Sequence, residues 1–135
     1  MIQPLLLGMS KLKVIQLLPE LNFGGVERGV KDFSKALVDR GHQSIVISNG
    51  GLLQDEIENN GAKHINLPIH KKRVSSLFLA SQLKEIYEKE KPDIVHIRSR
   101  MPAWINFLAY KKLKKRPLLI STFHGLYSTP IYSQV

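Results

Sequence analysis

Two adjacent glycines stand in segment 22–28, where an apolar run gives way to a helical pattern. Glycine lets a backbone come close to a ligand, and the free N–H groups at the start of a helix favour an anion such as a diphosphate. Gly24 and Gly25 are therefore candidate contacts for a phosphorylated ligand. A tight strand-to-helix turn would need the same two glycines, and that interpretation stays open.

The common nucleotide-binding signatures do not fit this segment. The glycines at 24, 25 and 29 lack the G-x-G-x-x-G spacing of a dinucleotide site. The second apolar run ends in Ser48 and Asn49, whereas a dinucleotide site places an acidic residue there to hold a ribose hydroxyl. Since the lysine of a Walker A loop is missing too, NAD binding and P-loop chemistry are both disfavoured.

Three more polar side chains follow later apolar runs. Arg98 and Arg100 come after the fourth run, where two guanidiniums could grip a phosphate or a sugar acid, or face solvent. His124 comes directly after the fifth run and could donate to a substrate hydroxyl or phosphate, or have a structural role. The other four histidines lack the spacing of a metal pair, so we expect no metal site.

The elements that position these residues follow from the pattern of hydrophobicity. Strand-like runs alternate with helix-like segments in five units, which is typical of a Rossmann-like α/β fold with a parallel sheet and helices on both faces. Ligands of such folds bind at the carboxyl ends of the strands, where the strand order reverses. The predicted strands are 12–18, 44–48, 63–67, 94–97 and 118–122, and the predicted helices are 25–40, 53–60, 76–90 and 102–115.

Composition restricts the class of protein. A chain of 135 residues with 43% hydrophobic residues fits one domain, and the absence of cysteine excludes a disulfide scaffold and a thiolate zinc site. No apolar stretch approaches the ~20 residues needed to span a bilayer.

The net charge of +9 arises in the second half, because residues 1–70 hold seven basic and seven acidic side chains, and residues 71–135 hold thirteen and four. Such a surface attracts phosphates of nucleic acid, lipid or substrate, or is a set of solvated helix faces. Without interleaved aromatics, nucleic-acid binding is disfavoured, whereas contact with anionic lipid stays open.

Several segments in order resemble one family. Residues 13–18 and 24–28, followed by Leu-Val-Asp-Arg-Gly-His at 37–42, resemble the opening of family 4 glycosyltransferases of the GT-B fold. Residues 92–99 and the Phe-His-Gly at 123–125 resemble the fourth and fifth strand segments of that family. The resemblance covers residues 11 to 130.

The resemblance implies retaining transfer of a sugar from a nucleotide-sugar donor to an acceptor hydroxyl, between two Rossmann-like domains and without a metal or other cofactor. This chain resembles the N-terminal, acceptor-side domain. By the same resemblance, Gly24 and Gly25 approach the donor diphosphate, and His124 contacts the sugar at the reacting centre. Arg98 and Arg100 line the acceptor side.

The resemblance also sets expectations for domain organisation and cellular role. Residues 1–10 are read as an N-terminal extension, and 11–135 as an incomplete domain that lacks its nucleotide-sugar-binding partner domain and would be inactive alone. The family suggests a glycan or lipid-linked acceptor of the cell envelope, in polysaccharide or lipopolysaccharide synthesis, and a cytoplasmic enzyme in peripheral contact with the membrane. The alternative is a stand-alone Rossmann-like module that binds a phosphorylated ligand or an anionic membrane surface.

Overall fold

Five parallel strands alternate with four helices in the computed structural model, which describes residues 11–70 and 75–122. The predicted N-terminal extension at 1–10 and His124 lie outside the described residues. The strands are β1 (Lys13–Leu17), β2 (Gln43–Ser48), β3 (Lys63–Asn66), β4 (Ile94–Ile97) and β5 (Leu118–Ser121). The helices are α1 (Gly25–Asp39), α2 (Gln54–Asn59), α3 (Ser76–Glu90) and α4 (Arg100–Tyr110).

The strand order is β3-β2-β1-β4-β5, so the order reverses between β1 and β4. Ile15 is in register with Ile45 on one side and Val95 on the other. The prediction of a parallel Rossmann-like sheet is confirmed. The reversal creates a crevice at the carboxyl ends of β1 and β4, which is where such sheets bind ligands.

The two faces of the sheet are covered by different helices. Every second strand residue, including Ile15, Leu17 and Ile97, packs into one large apolar cluster with α3 and α4. The opposite face, with Leu18, Val46 and Val30, forms a smaller cluster with α1 and α2. Helices on both faces therefore protect the central strands from water, as the alternating pattern predicted.

Local signals explain where the helices begin and end. The Ser75 hydroxyl accepts a hydrogen bond from the Phe78 amide and caps α3, which ends at Lys91 in the left-handed conformation. Gly41 follows α1 at φ 84°, a conformation that glycine adopts without steric cost. These ends direct each helix back toward the next strand.

The fourth helix differs from its prediction at both ends. It begins at Arg100 rather than Pro102, because extended Ser99 precedes it and a proline within the first turn sacrifices no helical hydrogen bond. It ends at Tyr110 rather than Lys115. The basic residues at 112–116 therefore lie beyond the helix.

Candidate functional site

The predicted site residues of β1 and β4 meet at the same edge of the sheet. Gly24 and Gly25 follow β1 and begin α1, and Arg98 follows β4 directly. The Arg98 amide donates to the Leu17 carbonyl at 2.9 Å, so the end of β4 is fixed to the end of β1. These residues therefore border the crevice at the point where the strand order reverses.

The start of α1 is open. Gly24 is the N-cap in an extended conformation, and among the described residues no side chain caps this end of the helix. Nothing lies within 4 Å of the position that a Cβ on Gly25 would occupy. A Cβ on Gly24 would clash with the Glu27 carboxylate, which therefore packs against that glycine. An anion that approaches these amides would displace the Glu27 side chain.

The loop after β2 holds the glycine segment in place. The Leu21 amide donates to the Gly50 carbonyl, and the Leu53 amide donates to the Leu21 carbonyl, both at 2.9 Å. Gly51 has φ +151°, and a Cβ there would lie 2.5 Å from the carbonyl carbon of Leu21. The loop after β2 thus supports the loop after β1, a contact that the sequence analysis missed although Asn-Gly-Gly at 49–51 is a turn signal.

Arg98 is held beneath α1 by a buried amide. Its Nε and Nη2 donate to Gln16 Oε1 at 3.2 and 2.8 Å, and Gln16 Nε2 donates to the Val30 carbonyl at 3.3 Å. The guanidinium carbon lies 5.7 Å from the centre of the Phe33 ring. Gln16 is fully buried, and its position as the lone polar residue in segment 14–18 was the signal that could have identified it.

The positive charge of Arg98 is not balanced by a carboxylate in the described part of the chain. Burial lowers the pKa of Arg98 from its ordinary value, since water is partly excluded from the guanidinium. The amide of Gln16 is neutral, and the Phe33 ring offers a weaker attraction than an anion would. A phosphate or carboxylate ligand would therefore find a positioned, uncompensated cation at this edge.

A row of side chains extends from Arg98 to the end of β5. The Phe33 ring meets the His96 ring edge-on at 6.2 Å, and His96 Nε2 lies 3.1 Å from Thr122 Oγ1. Phe33 is 39% exposed and lies over His96 of β4. Thr122 is the last described residue and precedes His124 by two positions in the sequence.

Arg100 differs from Arg98 in its environment. It is the first residue of α4 and is exposed, whereas Arg98 is half-buried against α1. The two arginines therefore occupy different environments although they are two residues apart.

Other polar groups lie on β2 and β3. Ser48 Oγ lies 2.7 Å from His64 Nε2 and accepts from the Gly50 amide at 2.9 Å. Burial lowers the pKa of His64, and the nearby Glu58 carboxylate partly opposes that shift. Within 11–70 and 75–122, no three histidine, cysteine or acidic side chains form a group that could hold a metal ion.

Comparison with known proteins gives consistent matches. A sequence profile for Glycosyltransferase Family 4 matches residues 23–134. The structure of a glycosyltransferase from Rickettsia africae ESF-5 superposes with a TM-score of 0.76 and 37% sequence identity, over 91% of this chain and 32% of that one. The chain thus spans about a third of the length of that relative.

More distant structures share the fold. The calicheamicin glycosyltransferase CalG4 superposes with a TM-score of 0.58 at 15% identity, covering 93% of this chain and 34% of that one. A putative UDP-N-acetylglucosamine 2-epimerase from Listeria monocytogenes gives 0.52 at 21% identity, over 92% and 33%. No curated protein matches the chain. None of the described helices has the length and hydrophobicity required to cross a bilayer.

Proposed function

The chain belongs to Glycosyltransferase Family 4 with the fold of a GT-B N-terminal domain, and we propose that it forms the acceptor-side half of a retaining hexosyltransferase. Its donor is a nucleotide-sugar, and its acceptor is a hydroxyl of a glycan or a lipid-linked glycan. The observation that carries this proposal is the pairing of an uncapped helix start with an uncompensated arginine at the β1–β4 crevice.

The chemistry of sugar transfer explains why such a pairing is useful. The bond between the anomeric carbon and the diphosphate oxygen breaks, and the electron pair stays on the departing diphosphate. The acceptor oxygen forms the new bond to the anomeric carbon, and its proton passes to an oxygen of the departing diphosphate. Because negative charge grows on the diphosphate, fixed N–H donors at a helix start stabilise the transition state without giving up their own protons.

Each candidate residue has a separate role in this proposal. The backbone at Gly24 and Gly25 approaches the diphosphate, which displaces the Glu27 carboxylate from the start of α1. Arg98 and Arg100 bind the acceptor side, with Arg98 already oriented by Gln16. His124 contacts the transferred sugar near the reacting centre.

The cellular role follows the family resemblance. We propose a cytoplasmic enzyme that builds a polysaccharide or lipopolysaccharide of the cell envelope, with the nucleotide-sugar as substrate and no metal or other cofactor. Because the chain spans about a third of its structural relative, turnover would require the remaining nucleotide-binding part.

A transfer assay on two proteins tests the proposal. The full-length product of the gene that encodes these residues and the 135-residue chain are each incubated with nucleotide-sugars and an envelope glycan extract. We expect donor-dependent transfer with retained anomeric configuration from the full-length product and no turnover from the 135-residue chain. Robust transfer by the shorter chain would refute its proposed incompleteness.

Substitutions at the site separate the roles. In the full-length protein, H124A is expected to lower kcat by about 10²-fold or more if the imidazole stabilises the reacting centre. Gly25→Val is expected to lower kcat/KM by hindering approach to the helix start. Gly29→Ala, in the interior of the same helix with no neighbour within 4 Å of the added Cβ, is the matched control. Equal activity of all three variants would contradict the site assignment.

A stand-alone binding module remains the second candidate, favoured by the uncompensated Arg98. Such a module would bind a phosphorylated ligand without a donor and without releasing a nucleotide. Saturable binding of a phosphorylated glycan by the full-length product, with no transfer from any donor, would select this candidate.

A further inference from the structure

One polar pair at the ends of the strands has no role in the transfer described so far. Glu20 lies three residues after β1, and His70 lies four residues after β3. Glu20 Oε1 and His70 Nε2 are 3.9 Å apart. Because parallel strands end at the same edge of the sheet, the pair lies at the edge that carries Arg98, but on the side of β1 that faces β2 and β3.

Backbone hydrogen bonds fix the two loops that carry this pair. The Asn49 amide donates to the carbonyl of Pro19, the residue before the glutamate, at 2.9 Å. In the loop after β3, the Ile69 amide donates to the Leu67 carbonyl at 2.7 Å. Ile69 is fully buried in the large apolar cluster, so the histidine that follows it begins from an anchored position.

The neighbours of the pair leave one acceptor and one donor facing each other. Asn22 Nδ2 donates to Glu20 Oε2 at 2.9 Å, so Oε1 is the oxygen on the side of His70. Within the described residues, His70 Nδ1 is buried and has no hydrogen-bond partner. A proton on Nδ1 would be buried without an acceptor, whereas a proton on Nε2 lies opposite the carboxylate. The neutral ring therefore carries its proton on Nε2.

The separation of the pair suits a bridging hydroxyl. At 3.9 Å, the carboxylate and the ring are too far apart for a direct hydrogen bond. A hydroxyl oxygen about 2.8 Å from both atoms would donate to Glu20 Oε1 and accept from His70 Nε2. From this geometry we propose that Glu20 and His70 bind a hydroxyl of a neutral sugar unit in the acceptor.

The surroundings of the pair favour a neutral sugar over an anion. In the described part of the chain, Glu20 contacts the Asn22 amide and the His70 ring but no lysine or arginine, so its carboxylate would repel a phosphate. Phe23 follows Asn22 in the same loop and is 76% exposed, and such a ring can cover the apolar face of a sugar. An anionic group of the acceptor would instead bind at Arg98.

This inference rests on the proposed sugar transfer, and it adds the chemistry of the acceptor. The Arg98 amide is bonded to the Leu17 carbonyl, and Glu20 follows Leu17 by three residues. By chain length alone, the Cα atoms of Glu20 and Leu17 are at most about 11 Å apart. A short oligosaccharide spans that distance, so one acceptor would reach both Arg98 and the Glu20 and His70 pair.

Saturation-transfer NMR on the full-length product tests sugar binding without a donor. The probes are the methyl glycosides of glucose, galactose, mannose and N-acetylglucosamine, with methyl glucuronide as the anionic comparison. We expect saturable binding of at least one neutral probe, weakened about tenfold or more by Glu20→Gln and by His70→Ala. Binding of none of the neutral probes, or a preference for the glucuronide that these two variants abolish, would overturn the proposal.

Conservative and matched variants separate sugar binding from folding. His70→Gln supplies an amide N–H in place of Nε2–H and is expected to keep part of the affinity that His70→Ala loses. Glu85→Gln changes an exposed glutamate of α3, and His42→Gln changes a half-buried histidine at the opposite edge of the sheet. Both controls should bind the probes as the unmodified protein does. The same result for Glu20→Gln, which keeps the shape of the side chain, would contradict the proposal.

Transfer kinetics distinguish this inference from the proposed function. With the envelope glycan extract as acceptor, Glu20→Gln should raise the half-saturating amount of extract about tenfold and leave the KM of the donor unchanged. A rise in the donor KM alone would assign Glu20 to the donor and overturn the inference. Sugar binding that depends on Glu20 and His70, with no transfer from any donor, would refute the transfer and not the sugar contact.

Discussion

The two faces of the sheet are built from different chemistry. The strand residues that face α3 and α4 are isoleucine, leucine and valine, and they join one apolar cluster. The strand residues that face α1 and α2 include Gln16, Ser44, Ser48, His64 and His96, each with a polar partner. One face therefore stabilises the fold by excluding water, and the other orients side chains toward the crevice.

The difference between the two faces indicates which substitutions would unfold the protein and which would leave it folded. An apolar face tolerates little loss of volume, because its packing energy depends on close contacts. Burial of a polar face stabilises the fold less, but its hydrogen bonds fix the orientation of side chains, as Gln16 does for Arg98. Substitutions on the first face should therefore change the free energy of unfolding, whereas those on the second should change ligand binding as well.

The largest effect is expected from Leu83→Ala on the apolar face. Leu83 is fully buried, and removal of its side chain leaves a cavity that costs about 2–5 kcal/mol of the free energy of unfolding. Urea denaturation followed by circular dichroism measures this loss. Leu77→Ala, two helical turns earlier on α3 and 67% exposed, is the control and should change the free energy by less than about 0.5 kcal/mol. Equal losses in the two variants would contradict the assignment of Leu83 to the buried, apolar side of α3.

A smaller effect is expected from Gln16→Leu on the polar face. The change preserves approximate volume but removes the acceptor for Arg98, which should cost about 1–3 kcal/mol. In addition, Arg98 loses its orientation, so affinity for phosphorylated ligands should fall. Calorimetry with an acceptor analogue separates this effect from destabilisation. Unchanged affinity in a folded variant would show that the contact with Gln16 does not position Arg98 for binding.

A still smaller effect of opposite sign is expected from Gly29→Ala. An alanine inside α1 reduces the freedom of the unfolded chain, and its Cβ would meet nothing within 4 Å. The variant should be more stable by about 0.5–1 kcal/mol, measured by thermal or urea unfolding. A loss of stability would mean that α1 packs more tightly along this side than described.

The pH dependence of stability distinguishes the polar face from the edge of the sheet at which the strands begin, here called the amino edge. Burial lowers the pKa of His64 from 6.5, so the unfolded chain binds a proton at a higher pH than the folded chain does. Stability is therefore full above pH 6.5 and falls as the pH drops below it. A hydrogen bond from Lys63 lowers the pKa of Glu90 from 4.5, so its contribution is lost only below pH 4.5.

Urea titrations between pH 2 and 8 measure these two steps. His64→Gln should remove the decline that begins at pH 6.5 and leave the acidic decline in place. Persistence of the upper decline in this variant would assign it to another group.

Much of the fold could be predicted, because the spacing of hydrophobic residues along the chain indicates which segments form helices and which form strands. The bounds of α3 and β4 match their predictions, since Leu79 and Leu83 recur at helical spacing and β4 is a short apolar run between polar residues. The end of α4 could not be predicted, because lysines are good helix formers and the chain turns at Leu113, which is buried by tertiary contacts.

The candidate site was predictable only in part. Gly24, Gly25 and Arg98 could be named as candidates because glycine pairs and charges are conspicuous after apolar runs, and the structure places them at the same edge of the sheet. Gln16 and Phe33 were not, because their roles depend on pairing β1 with β4 and on the direction of α1, which join residues far apart in sequence. The role of His124 stays a prediction.

The central claim is that the crevice between β1 and β4 binds the phosphorylated substrate. The most direct test is a titration of the ¹⁵N-labelled chain with inorganic pyrophosphate and with nucleoside diphosphates, followed by amide chemical shifts. Saturable shifts centred on the amides of Gly24 and Gly25, absent from the amino edge at Lys63 and Glu90, are the predicted result. Shifts confined to the amino edge or spread evenly over the lysines would contradict the claim.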